Sequence, residues 1–145
     1  MKVNVRSVGE SDIPEMVRIE REITGSTEVS ALERILHDYL DHGDLDLIIA
    51  ADVDRKLVGF LVGEIRPWEF GEDEEVAWIK VVGVDPRYQG RGIGKQLGEA
   101  FLKSLRSKGI RRLRTLVPWD SGDLITYFKA LDFERSRFVV LERLV

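Results

Sequence analysis

The chain has 145 residues, of which 43% are hydrophobic and 33% are charged, and its formal net charge is −4. This length and balance predict a single domain over residues 1–145 and exclude an intrinsically disordered chain. The absence of cysteine excludes disulfides and thiolate nucleophiles, and with only two histidines we expect no metal site. No apolar run approaches the roughly 20 residues of a membrane span, and the first residues lack a signal-peptide pattern, so we expect a cytoplasmic protein without a membrane partner.

Hydrophobic periodicity predicts an α/β domain with a mixed sheet, in the element order β-α-α-β-β-β-α-β-α-β. The six predicted strands cover residues 2–8, 45–53, 57–65, 75–84, 112–117 and 133–144. The four predicted helices begin at Ser11 or Asp12, at Ser30, at Gly92, and at Asp120 or Ser121. A short polar turn separates the second strand from the third, so these two strands should form a hairpin.

Charge is distributed unevenly along the chain. Residues 1–84 carry 9 basic and 19 acidic side chains, whereas residues 85–114 carry 9 basic and 2 acidic ones. A short basic block in an acidic protein indicates either a local anionic ligand or a solvated helix face. Nucleic-acid binding is the weaker hypothesis, because Tyr88 and Phe101 are the only aromatic residues of the block and Phe101 is expected in the core. We therefore expect no nucleic-acid partner.

The segment most informative about function runs from Val82 to Lys95, where a strand enters a glycine-rich turn that opens into a long helix. The first N–H groups of a helix have no partner within it, and the helix dipole makes this end attractive to a phosphate. Glycine lets phosphate oxygens approach the backbone because it has no β-carbon. Since Arg87, Arg91 and Lys95 add positive charge, we predict a pyrophosphate-binding cradle at residues 89–95.

Two common phosphate-binding motifs do not match this segment. A P-loop requires glycine where Gln89 stands and Ser or Thr where Gln96 stands, which disfavours an NTPase. A dinucleotide fingerprint requires a third glycine at Leu97 and an acidic residue about 20 positions further on, where this sequence is basic. A nicotinamide cofactor is therefore disfavoured as well.

A third pattern does match, in which Gln or Arg is followed by two variable residues, Gly, one variable residue, and Gly or Ala. It is carried by Gln89-Gly90-Arg91-Gly92-Ile93-Gly94, after a hydrophobic strand that ends in Val-Asp-Pro. This segment resembles the acetyl-CoA-binding motif of the GNAT superfamily of N-acetyltransferases. Residues 127–133 are similar to a later element of the family, with Asp132 in place of its usual glycine. The resemblance implies a mixed, mostly antiparallel central sheet with a splayed strand pair and helices on both faces.

The resemblance also implies how acetyl-CoA would bind as a co-substrate. The strand before the turn would pair its exposed backbone with the pantetheine arm, and the amides of the cradle would hold the pyrophosphate. The amide of Val84 would donate to the thioester oxygen, and Gly83 would mark a bulge or a close backbone approach. The residues so implied in cofactor binding are Val82, Gly83, Val84, Gln89, Gly90, Arg91, Gly92, Ile93, Gly94, Lys95 and Asp120.

Two of the implied site residues have alternative roles. Tyr127 matches the family tyrosine that protonates the departing thiolate, and its ordinary pKa of about 10 keeps it protonated at neutral pH. It could equally pack in the core. Asp120 stands where many relatives have a cofactor-contacting Asn, and it is also a candidate N-cap of the last helix.

The general base is left open. Trp78 and Thr115 stand where some relatives carry Glu, so neither usual position offers a carboxylate. Glu64, Glu74 and Glu75 remain as carboxylates near the end of one strand and the start of the next, and the simpler interpretation makes them solvated surface charges.

The implied function is acetyl transfer from acetyl-CoA to a primary amine by direct attack in a ternary complex, without a covalent enzyme intermediate. The acceptor is either a small-molecule amine or an amine of a protein or peptide. Trp68 and Phe70, in a loop, would line the acceptor pocket, form a dimer contact or cover the core. A non-catalytic acetyl-CoA-binding sensor or interaction module is the alternative. Homodimers are common in such folds, and the sequence leaves the oligomeric state open.

Overall fold

The computed structural model describes residues 1–26, 31–67, 69, 71 and 73–145. Ser30, the expected start of the second helix, and the loop aromatics Trp68 and Phe70 lie outside the described residues. Within these residues, five strands are present, β1 Val3–Ser7, β2 Ile48–Val53, β3 Lys56–Arg66, β4 Val76–Val84 and β5 Leu113–Thr115. The same part of the chain contains four α-helices, α1 Ile13–Thr24, α2 Ala31–His42, α3 Ile93–Ser107 and α4 Gly122–Ala130.

The five strands form one sheet in the order β1-β2-β3-β4-β5. The first three pairings are antiparallel and the pairing of β4 with β5 is parallel, which confirms a mixed, mostly antiparallel sheet. β2 and β3 form the predicted hairpin through Asp54 and Arg55, both at positive φ, as a two-residue hairpin turn requires.

Helices cover both faces of the sheet. On one face, α1 and α2 bury residues such as Met16 and Leu36 against Phe60 of β3. On the opposite face, α3 buries Leu97 and Phe101 in a second core cluster. The buried positions of each helix recur at spacings of three and four residues, as the apolar pattern predicted. Within the described residues, no helix combines the length and apolarity that a membrane span needs.

β4 carries an irregularity that shapes the candidate site. The pairing of β3 with β4 shifts register after Val62, which leaves Lys80 as an extra, bulged residue. On its other side, β4 pairs with β5 only over residues 77–79, and β5 ends at Thr115. Because β4 continues to Val84, residues 80–84 extend beyond β5 and a gap opens between the two strands. This is the splayed strand pair that the resemblance implied.

The strand expected over residues 133–144 is wrong, because residues 133–145 contain neither helix nor strand. Val139, Val140 and Leu141 are 80%, 72% and 89% exposed. Such a strand-like composition forms a strand only where a neighbour completes its backbone hydrogen bonds. The three-residue β5 offers only a short edge for that purpose.

Two strand boundaries also differ from the prediction. Leu45–Leu47 is a 3₁₀ turn that begins after Asp44, whose side chain accepts a hydrogen bond from the Asp46 amide at 3.0 Å. β2 therefore begins at Ile48 rather than at residue 45. The strand predicted over residues 112–117 is shortened to Leu113–Thr115, because the sheet neighbour that supports it diverges after Ile79.

Candidate functional site

The main candidate site lies where β4 leads into α3. A 3₁₀ turn, Pro86–Tyr88, follows β4, and α3 begins at Ile93. Gly92 occupies the N-cap position and has no side chain that could accept a hydrogen bond from the first N–H groups of the helix. These donors face outward at the positive end of the α3 dipole, which is a suitable place for an anion.

The two glycines of the turn leave open space in front of these donors. Gly90 and Gly92 have φ values of 79° and 81°, in the left-handed region that side chains rarely adopt. A β-carbon built on either residue would meet no atom within 4 Å. The backbone conformation therefore favours glycine at these two positions, and the space beside them is free for a ligand. Uncapped amides next to open space fit the diphosphate of acetyl-CoA.

The three predicted cations have different roles in the structure. The Arg87 guanidinium donates to both carboxylate oxygens of Asp85, at 3.2 and 2.9 Å, and so organises the turn. Arg91 lies 5.3 Å from the centre of the Tyr88 ring, and the side chain of Lys95 is exposed. The compensation of a bound diphosphate by Arg91 and Lys95 stays a prediction.

A buried carboxylate anchors the turn. Asp85 is fully buried and accepts hydrogen bonds from the Arg87 amide and from the Arg18 guanidinium of α1, each at 3.0 Å. The hydrogen bonds from Arg87, against the opposing effect of burial, hold the pKa of Asp85 well below its ordinary value. Sequence analysis missed this role for Arg18 because the two residues are 67 positions apart, and no local pattern pairs them.

The free edge of β4 supplies further backbone groups beside the cradle. The Asp85 amide donates to the Val58 carbonyl of β3 at 2.8 Å. Because successive residues of an antiparallel strand direct their backbone groups to opposite sides, the amides of Val82 and Val84 face the gap beyond β5. The Val84 carbonyl accepts a hydrogen bond from the Gln89 side chain at 3.1 Å, in agreement with this direction. The Val84 amide, which is the predicted oxyanion donor, thus faces the same gap as the Val82 amide.

Gly83 lies between these two valines and is a point of close approach, one of the two features predicted for it. A β-carbon on Gly83 would lie 3.0 Å from Cζ of Phe60 and 3.4 Å from Cδ1 of Ile23 on α1. The bulge itself lies three residues earlier, at Lys80. Gly83 therefore lets α1 and β3 pack closely against the segment of β4 that borders the gap.

Tyr127 lies on α4 and packs against two glycines of α3. Its hydroxyl donates to the Gly94 carbonyl at 2.7 Å. A β-carbon on Gly94 would lie 3.1 Å from the tyrosine ring, and one on Gly98 would lie 3.1 Å from its hydroxyl oxygen. Burial raises the pKa of Tyr127 to about 12, so the phenol is protonated at neutral pH. The side chain is part of the packing, and its hydroxyl must turn away from Gly94 to protonate another group.

Asp120 lies in an exposed turn, and Ser121 occupies the N-cap position of α4. The alternative in which Asp120 is the N-cap is therefore wrong, because the chain first makes a turn in which the Ser121 amide donates to the Pro118 carbonyl at 3.0 Å. The cofactor contact predicted for Asp120 stays a prediction.

The three carboxylates left open as candidate bases lie in different surroundings. Glu64 accepts a hydrogen bond at 3.0 Å from the hydroxyl of Tyr39 on α2, so it lies on the sheet face that α1 and α2 cover. Glu74 instead accepts a hydrogen bond from Arg112 at 2.8 Å, and Glu75 is exposed. Tyr39 had no sequence signal beyond helical spacing, and its role follows only from the packing of α2.

Known proteins share the sequence pattern of this chain. The profile of the Acetyltransferase (GNAT) family matches residues 13–133. A mycothiol acetyltransferase of Rhodococcus jostii is 30% identical over 134 aligned residues, which cover 88% of this chain and 44% of that protein. A mycothiol acetyltransferase of a Nocardioides species is 33% identical over 119 residues, with 77% and 40% covered. The chain spans less than half the length of these curated relatives.

Solved structures share the fold. AAC(6')-Iy, in complex with the bisubstrate analogue CoA-S-monomethyl-acetylneamine, matches with a TM-score of 0.82 and 19% identity, over 100% of this chain and 99% of that one. Ard1 from Thermoplasma volcanium matches with a TM-score of 0.77 and 25% identity, over 94% and 85% of the two chains. The family profile, the splayed sheet and the glycine turn before α3 together show that this chain belongs to the acetyltransferase (GNAT) family.

Proposed function

We propose that this chain transfers an acetyl group from acetyl-CoA to a primary amine while both substrates are bound. One arrangement carries the proposal, namely the uncapped amides of the cradle beside the free edge of β4. The cradle suits the diphosphate, and the gap-facing amides of Val82 and Val84 suit the pantetheine arm and the thioester. Family membership supports this assignment, since the matched relatives are named acetyltransferases.

The reaction assigns distinct tasks to the residues at the gap. The amine nitrogen attacks the thioester carbon, the C–S bond breaks, and CoA leaves as a thiolate. A gap-facing amide of Val82 or Val84 stabilises the negative charge that develops on the thioester oxygen. Tyr127 protonates the thiolate and regains a proton from water, while the amine releases one proton to water. Burial makes Tyr127 a weaker acid, but the same dry surroundings also raise the pKa of the CoA thiol.

Tyr127→Phe should lower kcat by about 100-fold, because it removes the proton donor. It should also cost about 1 kcal/mol of unfolding free energy, since the hydrogen bond to Gly94 is lost. The rise in melting temperature with acetyl-CoA should persist, because the cradle is unchanged. Steady-state kinetics and thermal unfolding measure the three quantities.

Tyr88→Phe is the matched control, since it removes a phenol hydroxyl beside the cradle and keeps the ring that Arg91 contacts. Its kcat should stay within about twofold of the parent value. An undiminished kcat in Tyr127→Phe would remove this residue from the catalytic steps and leave it with the packing role alone.

The proposed function is tested by two measurements on the same protein. At 100 times its Kd, acetyl-CoA should raise the melting temperature by about 5–10 °C, because it binds only the folded state. A panel of small amines, peptide N-termini and lysine peptides should then contain substrates that release free CoA. Absence of both effects would contradict the proposal.

The second candidate function is an acetyl-CoA-binding sensor or interaction module. It is favoured by one observation, which is that Trp78 and Thr115 occupy the positions where some relatives carry a base. A thermal shift without CoA release on any amine would identify this alternative. Turnover of any amine would exclude it.

We also propose a homodimeric assembly. A homodimer is supported by the exposed apolar residues Val139, Val140 and Leu141. They directly follow Phe138, whose ring lies 4.8 Å from the Arg114 guanidinium of β5. Light scattering over a range of concentrations gives the mass in solution. The proposal also assigns the reaction to the cytoplasm, where acetyl-CoA would serve as co-substrate.

A further inference from the structure

A group of polar side chains lies on the sheet face that α1 and α2 cover. None of these side chains is among the residues proposed to bind acetyl-CoA. We call this group the acceptor-face cluster, and its members are Tyr39, Glu64, Arg66, Glu69, Trp78 and Lys80. The residues are linked by hydrogen bonds and ion pairs across α2, β3, β4 and the loop between those strands. What this cluster binds is a question separate from the chemistry at the thioester.

Three of the six side chains of the cluster contact one another. Glu69 is only 8% exposed, and it accepts hydrogen bonds from the Arg66 guanidinium at 2.9 Å and from the Trp78 indole. The Arg66 guanidinium also lies 4.9 Å from the centre of the Trp78 ring. These three side chains therefore hold one another, and the charges of Glu69 and Arg66 compensate.

Glu64 is the other anion of the cluster, and its compensation is weaker. Its side chain is 28% exposed and accepts hydrogen bonds from Tyr39 and from Arg66, each at 3.0 Å. Although partial burial opposes ionisation, these bonds lower the pKa of Glu64, so it is a carboxylate at neutral pH. Arg66 is shared between Glu64 and Glu69, and the second cation beside Glu64 is Lys80, whose Nζ lies 3.6 Å away. A part-exposed pair at this distance is easily displaced.

The cluster lies next to the point where the gap opens. Lys80 is the bulged residue at which β4 leaves β5, and Glu64 pairs across the sheet with Trp78. The opposite face of the gap is covered by α3 and by Tyr127 of α4. An acceptor that approaches the thioester from the face opposite α3 therefore passes Glu64 and Lys80.

The distance along the strand indicates which acceptor group Glu64 would meet. The β3 partners of Val82 and Val84 lie three and five residues from Glu64, which is about 10 and 17 Å. Glu64 is thus misplaced for the reacting nitrogen and well placed for a second positive charge further along the same molecule.

We propose that Glu64 binds a cationic group on the acceptor, displacing Lys80, and so selects amines that carry a second positive charge several methylene groups from the reacting nitrogen. The proposal rests on the proposed acetyl transfer for its biological meaning. Lys80 occupies the same site when no acceptor is bound. Diamines and polyamine-like molecules are the substrate class that this arrangement favours over monoamines.

The test compares 1,8-diaminooctane with octylamine as acceptors. In the parent protein, kcat/KM should be about tenfold or more higher for the diamine, the size expected for a charge-assisted hydrogen bond. Glu64→Gln keeps the shape and should lower the diamine value by about tenfold, with octylamine changed by less than about twofold. Lys80→Met removes the competing cation and should raise kcat/KM for the diamine alone.

Glu74→Gln is the matched control, because it neutralises another part-exposed carboxylate, one that Arg112 engages away from the cluster. This variant should leave the ratio of kcat/KM for the diamine to kcat/KM for octylamine unchanged. If Glu64→Gln lowered kcat/KM equally for both amines, or left kcat/KM unchanged for both, the role of Glu64 would be overturned. If neither amine is acetylated, calorimetric binding of the two amines to the CoA-loaded parent and Glu64→Gln proteins decides whether Glu64 binds the second charge, and the wider amine panel decides the proposed function separately.

Discussion

Gly92→Leu should abolish the acetyl-CoA-induced rise in melting temperature while the protein still folds. Gly92 has a φ of 81° and occupies the N-cap position of α3, where a side chain would project into the space in front of the uncapped amides. The left-handed backbone should cost about 1–2 kcal/mol of unfolding free energy. The loss of binding is a separate and larger effect, because the side chain takes the place of the diphosphate. Thermal unfolding with and without acetyl-CoA measures both.

Gly109→Leu separates these two effects. Gly109 has a φ of 75°, and a β-carbon on it would also meet no atom within 4 Å, so the conformational cost should match that at Gly92. It lies beyond the opposite end of α3, and acetyl-CoA should therefore stabilise this variant as much as the parent. If both variants kept the full shift, diphosphate binding at the cradle would have to be abandoned.

Asp85→Ala should destabilise the folded protein by about 3 kcal/mol, because it removes the buried partner of two guanidinium groups. The variant also loses the hydrogen bond between the Asp85 side chain and the Arg87 amide, which supports the 3₁₀ turn before the cradle. Urea unfolding at neutral pH measures the loss. A loss below about 1 kcal/mol would show that the turn does not depend on this carboxylate.

The same variant has a characteristic pH dependence. The pKa of Asp85 is lowered on folding from an ordinary value of 3.8, so its contribution to stability is complete above that pH and is lost as the pH falls below it. The difference in unfolding free energy between the parent and Asp85→Ala should therefore narrow on acidification below about pH 4. Arg87→Met keeps the carboxylate but removes the side chain that lowers its pKa most, so this variant should retain only part of the pH dependence.

Local patterns were sufficient for the cradle and for most of the sheet. The glycines of the turn and the apolar spacing of α3 are determined by nearby residues, so the turn and the helix start could be placed from the sequence alone. The apolar run over residues 57–65 similarly predicted a strand, and in the structure its neighbours Phe60 and Leu61 face opposite cores. The family resemblance then supplied the splayed pair, which no local pattern encodes.

Contacts between residues far apart in the sequence could not be predicted from local patterns. Residues 133–144 have strand-like composition but no sheet partner, and composition cannot report the missing neighbour. Glu69 resembles a solvated loop charge in the sequence, yet it is 8% exposed because Arg66 and Trp78 enclose it. The acceptor-face cluster likewise depends on α2 bringing Tyr39 to Glu64, residues that lie 25 positions apart.

Because Arg18 joins α1 to Asp85 at 3.0 Å, and Ile23 of the same helix lies beside Gly83, α1 contacts both the turn before the cradle and the end of β4. An acceptor that displaced this helix would therefore change the affinity of the proposed site for acetyl-CoA. Thermodynamic linkage makes such an influence reciprocal, so any factor by which an acceptor changes the Kd of acetyl-CoA is the factor by which acetyl-CoA changes the Kd of the acceptor. This 12-residue helix would then couple two ligands that need not contact each other.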